Sequence, residues 1–227
     1  MSAKDEHNQR DPRDAVDPTP PATAAHPRLS REQLAASLDA SLARWNGRTP
    51  LWVFAYGSLI WKPEFDFDRR LPARVFGYHR RLCLRSVTYR GTLECPGLVA
   101  GLDRGGSCAG ALYRLPVKGL RAQLERLWER EMFLGSYAPR WLAATRLDTR
   151  SDRGTPVPAL AFVVRRDARN YCAALSEDAI VEVLRQACGH YGTSLEYLQH
   201  TVAALRELGL HDPHLERLAH RATSPRL

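Results

Sequence analysis

One glutamate and one glycine turn carry the residues of this chain best suited to chemistry. Glu131 lies in the run Leu127-Trp128-Glu129-Arg130-Glu131-Met132-Phe133-Leu134-Gly135-Ser136-Tyr137. Counted at about 100° per residue, Leu127, Leu124 and Leu120 fall within about 40° of Glu131, whereas Glu125 and Glu129 stand more than about 100° away. A carboxylate on an apolar stripe is costly unless it is paired. Burial also moves its pKa toward the range useful to a general base. An ion pair with a buried arginine, or escape of the side chain to solvent at the helix end, is the competing reading of the same residue. The second feature is Tyr56-Gly57-Ser58-Leu59, directly after the apolar run Leu51-Trp52-Val53-Phe54-Ala55. Glycine lets the chain turn sharply and present consecutive amides, which can hold a carboxylate or a developing oxyanion. An ordinary strand-to-loop turn is the plainer alternative. No nucleophile elbow and no Ser-His-Asp order surround Ser58, so it is not read as a nucleophile. A lone acid facing turn amides suits amide chemistry that uses no metal.

These two features need elements to position them. Residues 1–28 are rich in Pro, Asp, Ala and Thr and nearly lack large apolar side chains, which predicts a disordered tail. Residues 29–50 predict a helical extension: Ser30 and Gln33 make a capping box, and Leu34, Leu38, Leu42 and Trp45 form a stripe. Residues 51–222 predict the main domain. Its strands are expected at 51–55, 73–78, 80–87, 98–102, 108–115, 141–148 and 157–164, with turns at 103–106 and 151–154. Its helices are expected at 119–132, 176–191, 194–208 and 213–222, with Gly135 as a left-handed cap after the helix that bears Glu131. The pattern is α+β with a mostly antiparallel, closed sheet.

Composition narrows the class. With 227 residues, 44% hydrophobic and 26% charged, the chain suits one globular domain with a proper core. No apolar run reaches the roughly 18 residues of a membrane span, and the first residues have no apolar signal core. A cytoplasmic protein is expected. Cys83, Cys95, Cys108, Cys172 and Cys188 are odd in number and never at CxxC spacing, which argues against a disulfide framework or a zinc site and for scattered, mostly buried thiols. The histidines show no zinc spacing either. The net charge of +8, from 33 basic and 25 acidic side chains, raises the reading of a basic nucleic-acid-binding module. The arginines are spread along the chain rather than gathered into a stripe, and no RNA- or DNA-binding pattern accompanies them.

Val53-Phe54-Ala55-Tyr56-Gly57-Ser58-Leu59-Ile60-Trp61 resembles the substrate-binding signature of the ChaC-type γ-glutamylcyclotransferases. Arg90-Gly91, the segment Gly110–Pro116, Trp128-Glu129-Arg130-Glu131-Met132 with Gly135-Ser136-Tyr137, and Gly192–Leu198 look like the same family in the same order. The resemblance covers roughly residues 51 to 220. It implies a γ-glutamylcyclotransferase-like fold, a small mixed β-barrel with flanking helices, and conversion of glutathione to 5-oxo-L-proline and L-cysteinylglycine. It implies Glu131 as the catalytic residue and Val53, Phe54, Ala55, Tyr56, Gly57 and Ser58 as the segment that holds the γ-glutamyl group. Ala55 stands where many members have glycine. Neither metal nor cofactor is implied, and glutathione is the expected partner of a monomer that binds no nucleic acid and no membrane. Tyr137 is a further candidate for the pocket border. Arg85 and Arg90 are candidates for the glycyl carboxylate of glutathione. Other γ-glutamyl amino acids or amines are the alternative substrates, and a non-catalytic interaction protein that keeps the fold is a remoter reading.

Overall fold

The computed structural model describes residues 28–147, 155–172 and 175–225. The tail expected at 1–28 and the turn expected at 151–154 therefore lie almost wholly outside the described residues. The first helix, α1 (Arg31–Leu42), opens with the capping box foreseen at Ser30: its hydroxyl accepts the Gln33 amide, and the Gln33 side chain accepts the Ser30 amide. Strand β1 (Leu51–Ala55) follows, then a single 3-10 turn over Ser58–Ile60. Two long strands come next, β2 (Arg69–Ser86) and β3 (Gly97–Leu115), then helix α2 (Leu120–Met132). Strands β4 (Tyr137–Arg146) and β5 (Val157–Val164) lead to helix α3 (Glu177–Gln186). A two-residue pair, β6 (Cys188–Gly189) and β7 (Gly192–Thr193), precedes α4 (Ser194–Glu207) and α5 (Pro213–Thr223).

The first five strands close into a barrel in the order β1-β3-β2-β4-β5. Neighbours are antiparallel except at the closure, where β1 runs parallel to β5 with Trp52 opposite Ala159 and Val53 opposite Leu160. The strand residues Val53, Phe54, Val75, Leu112, Leu160 and Phe162 are fully or almost fully buried, on the two alternating faces of the sheet. The α+β barrel with flanking helices agrees with the sequence expectation.

The details differ in three places. The stretch 103–106, expected as a turn, is the middle of β3. Gly105 and Gly106 (φ +103° and +66°) stand opposite the single residue Gly77, so the two strands pair from Arg69↔Arg114 to Ser86↔Gly97 around a bulge there, with a second register shift between Leu82 and Leu84. Asp-Arg-Gly-Gly is turn chemistry, yet a bulge uses the same left-handed glycines. The helix expected at 176–191 ends at Gln186, because Ala187 leaves helical geometry (ψ 124°) and the chain enters the small β6–β7 pair. The cysteines are all unbridged, but only Cys83 and Cys108 are buried, and Cys188 is exposed.

Helix α1 is bound into the domain. Leu34 and Leu38 are buried, the Trp128 indole donates to the Ser37 hydroxyl at 3.2 Å, and the Trp141 indole donates to the Ser41 carbonyl at 2.8 Å. Trp128 in turn lies edge-on to Phe162 with ring centroids 5.2 Å apart. The helix bearing Glu131 is thus sandwiched between α1 and the barrel.

Candidate active site

Glu131 sits in the last turn of α2. Its stripe neighbours Leu120, Leu124 and Leu127 are buried, and Glu125 and Glu129 are exposed. The Glu131 side chain is 13% exposed, with one carboxylate oxygen 3.1 Å from Arg130 Nε. Burial pushes its pKa up, and the Arg130 charge only partly opposes that. Both readings of this residue therefore meet in one place: the carboxyl is buried on the apolar stripe, and it has an arginine partner. Beyond it, Gly135 adopts φ +64°, the left-handed geometry expected after this helix.

The turn after β1 faces this helix end. Ile60 N–H donates to the Gly57 carbonyl at 2.9 Å, and Lys62 N–H donates to the Ser58 carbonyl at 2.8 Å. The amides of Ser58 and Leu59 open the turn and have no partner within it, as at any helical N-terminus. Gly57 is closely approached here: a Cβ on it would stand 2.8 Å from the Tyr197 hydroxyl, so a larger residue must displace that side chain. Arg130 joins turn and helix. It donates to the Ser58 hydroxyl at 3.1 Å, to the Lys62 carbonyl at 2.6 Å and to Glu64 at 2.7 Å. From the other side, Arg80 is buried and donates to the Tyr56 carbonyl and to the Ala109 carbonyl, each at 2.5 Å, while pairing with Asp212.

Three phenols lie within the field of the Glu131 charge. Tyr56 donates its hydroxyl to the Phe162 carbonyl at 2.6 Å. Tyr137 reaches toward the Ala100 carbonyl at 3.4 Å, and the Tyr197 oxygen accepts the Ala100 amide at 3.1 Å. Burial pushes all three phenols up, and the nearby Glu131 charge adds to the rise in each. They stay protonated at neutral pH and can only give or receive hydrogen bonds.

The fold brings Tyr56, Gly57 and Ser58 to the end of α2 that carries Glu131. Val53, Phe54 and Ala55 are wholly buried in β1, directly before the turn. Arg85 is exposed. Arg90 is 8% exposed, lies 5.8 Å from the ring centres of both Trp61 and Tyr197, and donates weakly to the Thr193 carbonyl at 3.4 Å. Burial lowers its pKa, and the charge of Glu196, already held by the Thr193 amide at 2.7 Å, opposes that. Sequence reasoning passed over Arg80 and Arg130. Arg130 was adjacent to the key acid, but its reach back to Ser58 depends on how the turn folds. Among the described residues no group of three His, Cys, Asp or Glu side chains is placed to hold a metal ion.

A yeast γ-glutamylcyclotransferase specific to glutathione shares the fold with a TM-score of 0.70, over 77% of this chain and 96% of that one, at 20% identity. Residues 51–224 match the family described as ChaC-like protein, and the chain belongs to that family. It is similar to the glutathione-specific γ-glutamylcyclotransferase of Escherichia coli, 38% identical over 83% of this chain and 80% of that one. It is also similar to the glutathione-specific γ-glutamylcyclotransferase 1 of Mus musculus, 32% identical over 77% of this chain and 79% of the mouse protein.

Proposed function

We propose that this protein is a glutathione-specific γ-glutamylcyclotransferase that uses Glu131 as its general base and acid. The observation that carries the reading is the placement of one buried carboxyl, its pKa raised by burial, against the Tyr56–Leu59 turn in a ChaC-like chain. In the proposed reaction the substrate's α-amine attacks its own γ-carbonyl. Because nucleophile and electrophile belong to one molecule, orientation supplies much of the rate. The amine must first lose a proton, since an ammonium is not nucleophilic. Glu131 takes that proton and returns it to the departing cysteinyl nitrogen. The products are 5-oxo-L-proline and L-cysteinylglycine, and no water is consumed.

The backbone of Val53–Ser58, with the Ser58 and Leu59 amides at its end, forms the cradle for the γ-glutamyl group. Each step is a proton transfer or a bond rearrangement within the substrate, so the scheme calls for no metal or cofactor. No described helix is long and apolar enough to cross a membrane, and we place the protein in the cytoplasm, acting as a monomer without nucleic acid.

The test is incubation of purified protein with millimolar reduced glutathione, following both products by mass spectrometry. Equal release of the two, lost in Glu131→Gln, is the expected result. Release from γ-glutamyl-alanine but not from glutathione would retire the glutathione assignment and keep the reaction. Near-normal turnover by Glu131→Gln would remove Glu131 from its role.

A further inference from the structure

We propose that Tyr197 donates the hydrogen bond that stabilises the oxyanion formed on the γ-carbonyl. This rests on the cyclotransferase reading and adds a second catalytic residue to it. Ring closure passes through a tetrahedral species. As the amine lone pair bonds to the γ-carbon, the carbonyl π pair moves onto oxygen. The oxyanion then collapses to the lactam carbonyl while the bond to the cysteinyl nitrogen breaks and that nitrogen gains the proton carried by Glu131. A donor fixed beside the γ-oxygen before reaction strengthens its bond as charge develops, and does so without transferring its own proton.

Four observations single out Tyr197. Its ring is 5% exposed on α4, and its oxygen is fixed by the Ala100 amide at 3.1 Å. That bond uses the oxygen as acceptor and leaves the phenolic hydrogen available, and no described residue is recorded as accepting it. The other two phenols differ. Tyr56 commits its hydrogen to the Phe162 carbonyl. Tyr137 has the Ala100 carbonyl and the Tyr56 hydroxyl as partners. The Tyr197 oxygen also rests against the α-carbon of Gly57, where any Cβ would come within 2.8 Å. The Glu131 charge acts on the phenol as well. The hydroxyl thus lies against the turn and within the field of the Glu131 charge, and the proposal seats the γ-carbonyl oxygen there. A buried hydroxyl without an acceptor is costly, and a substrate oxygen placed there removes that cost. A purely packing role is the competing explanation, because the ring also meets Trp61 edge-on at 6.2 Å.

The experiment compares wild type, Tyr197→Phe and a protein carrying a polyfluorinated tyrosine at position 197, each with reduced glutathione. For Tyr197→Phe, kcat should fall about 10²- to 10³-fold, the usual effect of removing one oxyanion donor, with KM changed by less than about threefold. The fluorinated phenol keeps shape and the Ala100 bond but ionises at far lower pH. It should give a new loss of kcat on the alkaline side, where the donor becomes an anion. A hydroxyl that only packs leaves the pH profile unmoved. Wild-type turnover with a near-normal kcat in Tyr197→Phe, or an unchanged pH profile in the fluorinated protein, overturns the role of Tyr197 alone. A wild type that forms no 5-oxoproline from any γ-glutamyl compound overturns it together with the cyclotransferase reading.

Discussion

Arg130 Nε lies 3.1 Å from a carboxylate oxygen of Glu131, the residue that follows it, while its terminal nitrogens hold the Ser58 hydroxyl and the Lys62 carbonyl. One guanidinium thus sets both the charge beside the acid and the position of the turn that faces it. Replacing Arg130 with Met removes an influence that lowers the Glu131 pKa. The acidic limb of the kcat/KM profile should then move to higher pH. At neutral pH activity should drop about tenfold or more, and part of it should return as the pH is raised. A profile with an unshifted acidic limb would separate Arg130 from the acid.

Glu131→Gln should trade activity for stability. Turnover falls about 10²- to 10⁴-fold when a general acid–base is removed. The sign of the stability change follows from the raised pKa. An acid whose folded value lies above its unfolded value, near 4.5, holds its full stability below that unfolded value and loses stability as the pH rises through the folded one. The variant escapes this loss. Its melting temperature should match that of the wild type near pH 4 and exceed it at pH 7 by about 2–4 °C, the shift expected for roughly 1 kcal/mol in a domain of this size. Melting curves from pH 4 to 8 decide the matter.

Arg90 and Arg85 should behave differently toward glutathione. Arg90 is buried beside Trp61 and Tyr197, and Arg85 is exposed. Arg90→Met should raise KM about 10- to 100-fold, the range of a charge-assisted hydrogen bond, and Arg85→Ala should leave it unchanged. With the glycinamide analogue of glutathione, which lacks the terminal charge, wild type and Arg90→Met should converge. A persistent gap would assign Arg90 to another part of the site or to packing.

Asp103 offers a stability test away from the site. It is fully buried, accepts Arg166 at 2.7 Å and Tyr171 at 2.8 Å, and lies 4.0 Å from Arg81. Burial pushes its pKa up, yet the hydrogen bonds from Arg166 and Tyr171 hold it below the usual 3.8. Its stabilisation is therefore present above that value and is lost as the pH falls through the lower folded one. Asp103→Asn should cost about 1–3 kcal/mol at pH 7. The difference between the two proteins should shrink below pH 3.8. A constant difference from pH 7 to pH 3 would show that charge plays no part.

Local patterns made Glu131 legible, because helical spacing places a lone carboxylate among Leu120, Leu124 and Leu127 whatever the rest of the chain does. The turn at Gly57 was legible for a similar reason, as an apolar strand stopped by glycine. Gly105 and Gly106 misled because left-handed glycines serve a bulge as well as a turn, and only the partner strand decides between them. Arg80, Arg130 and Tyr197 were silent as site residues for a different reason. Their partners lie 24, 72 and 97 residues away for the contacts with Tyr56, Ser58 and Ala100, and no pattern within a short window encodes such a meeting. The resemblance of Gly192–Leu198 to the family marked the neighbourhood of Tyr197 without giving its part.

The carboxylate of Asp212 holds Arg80 with one oxygen and caps α5 with the other, accepting the Leu215 amide at 3.2 Å. Arg80 in turn grips the Tyr56 carbonyl, at the start of the turn. On the ribosome, β1 and its turn emerge more than a hundred residues before this latch. The cradle is therefore finished only once residue 212 and the helix behind it have been synthesised and docked. A nascent chain carries the acid and the turn early but cannot lock them, and proteolytic loss of α5 would undo the lock in a mature one. Clipping that helix should silence the protein.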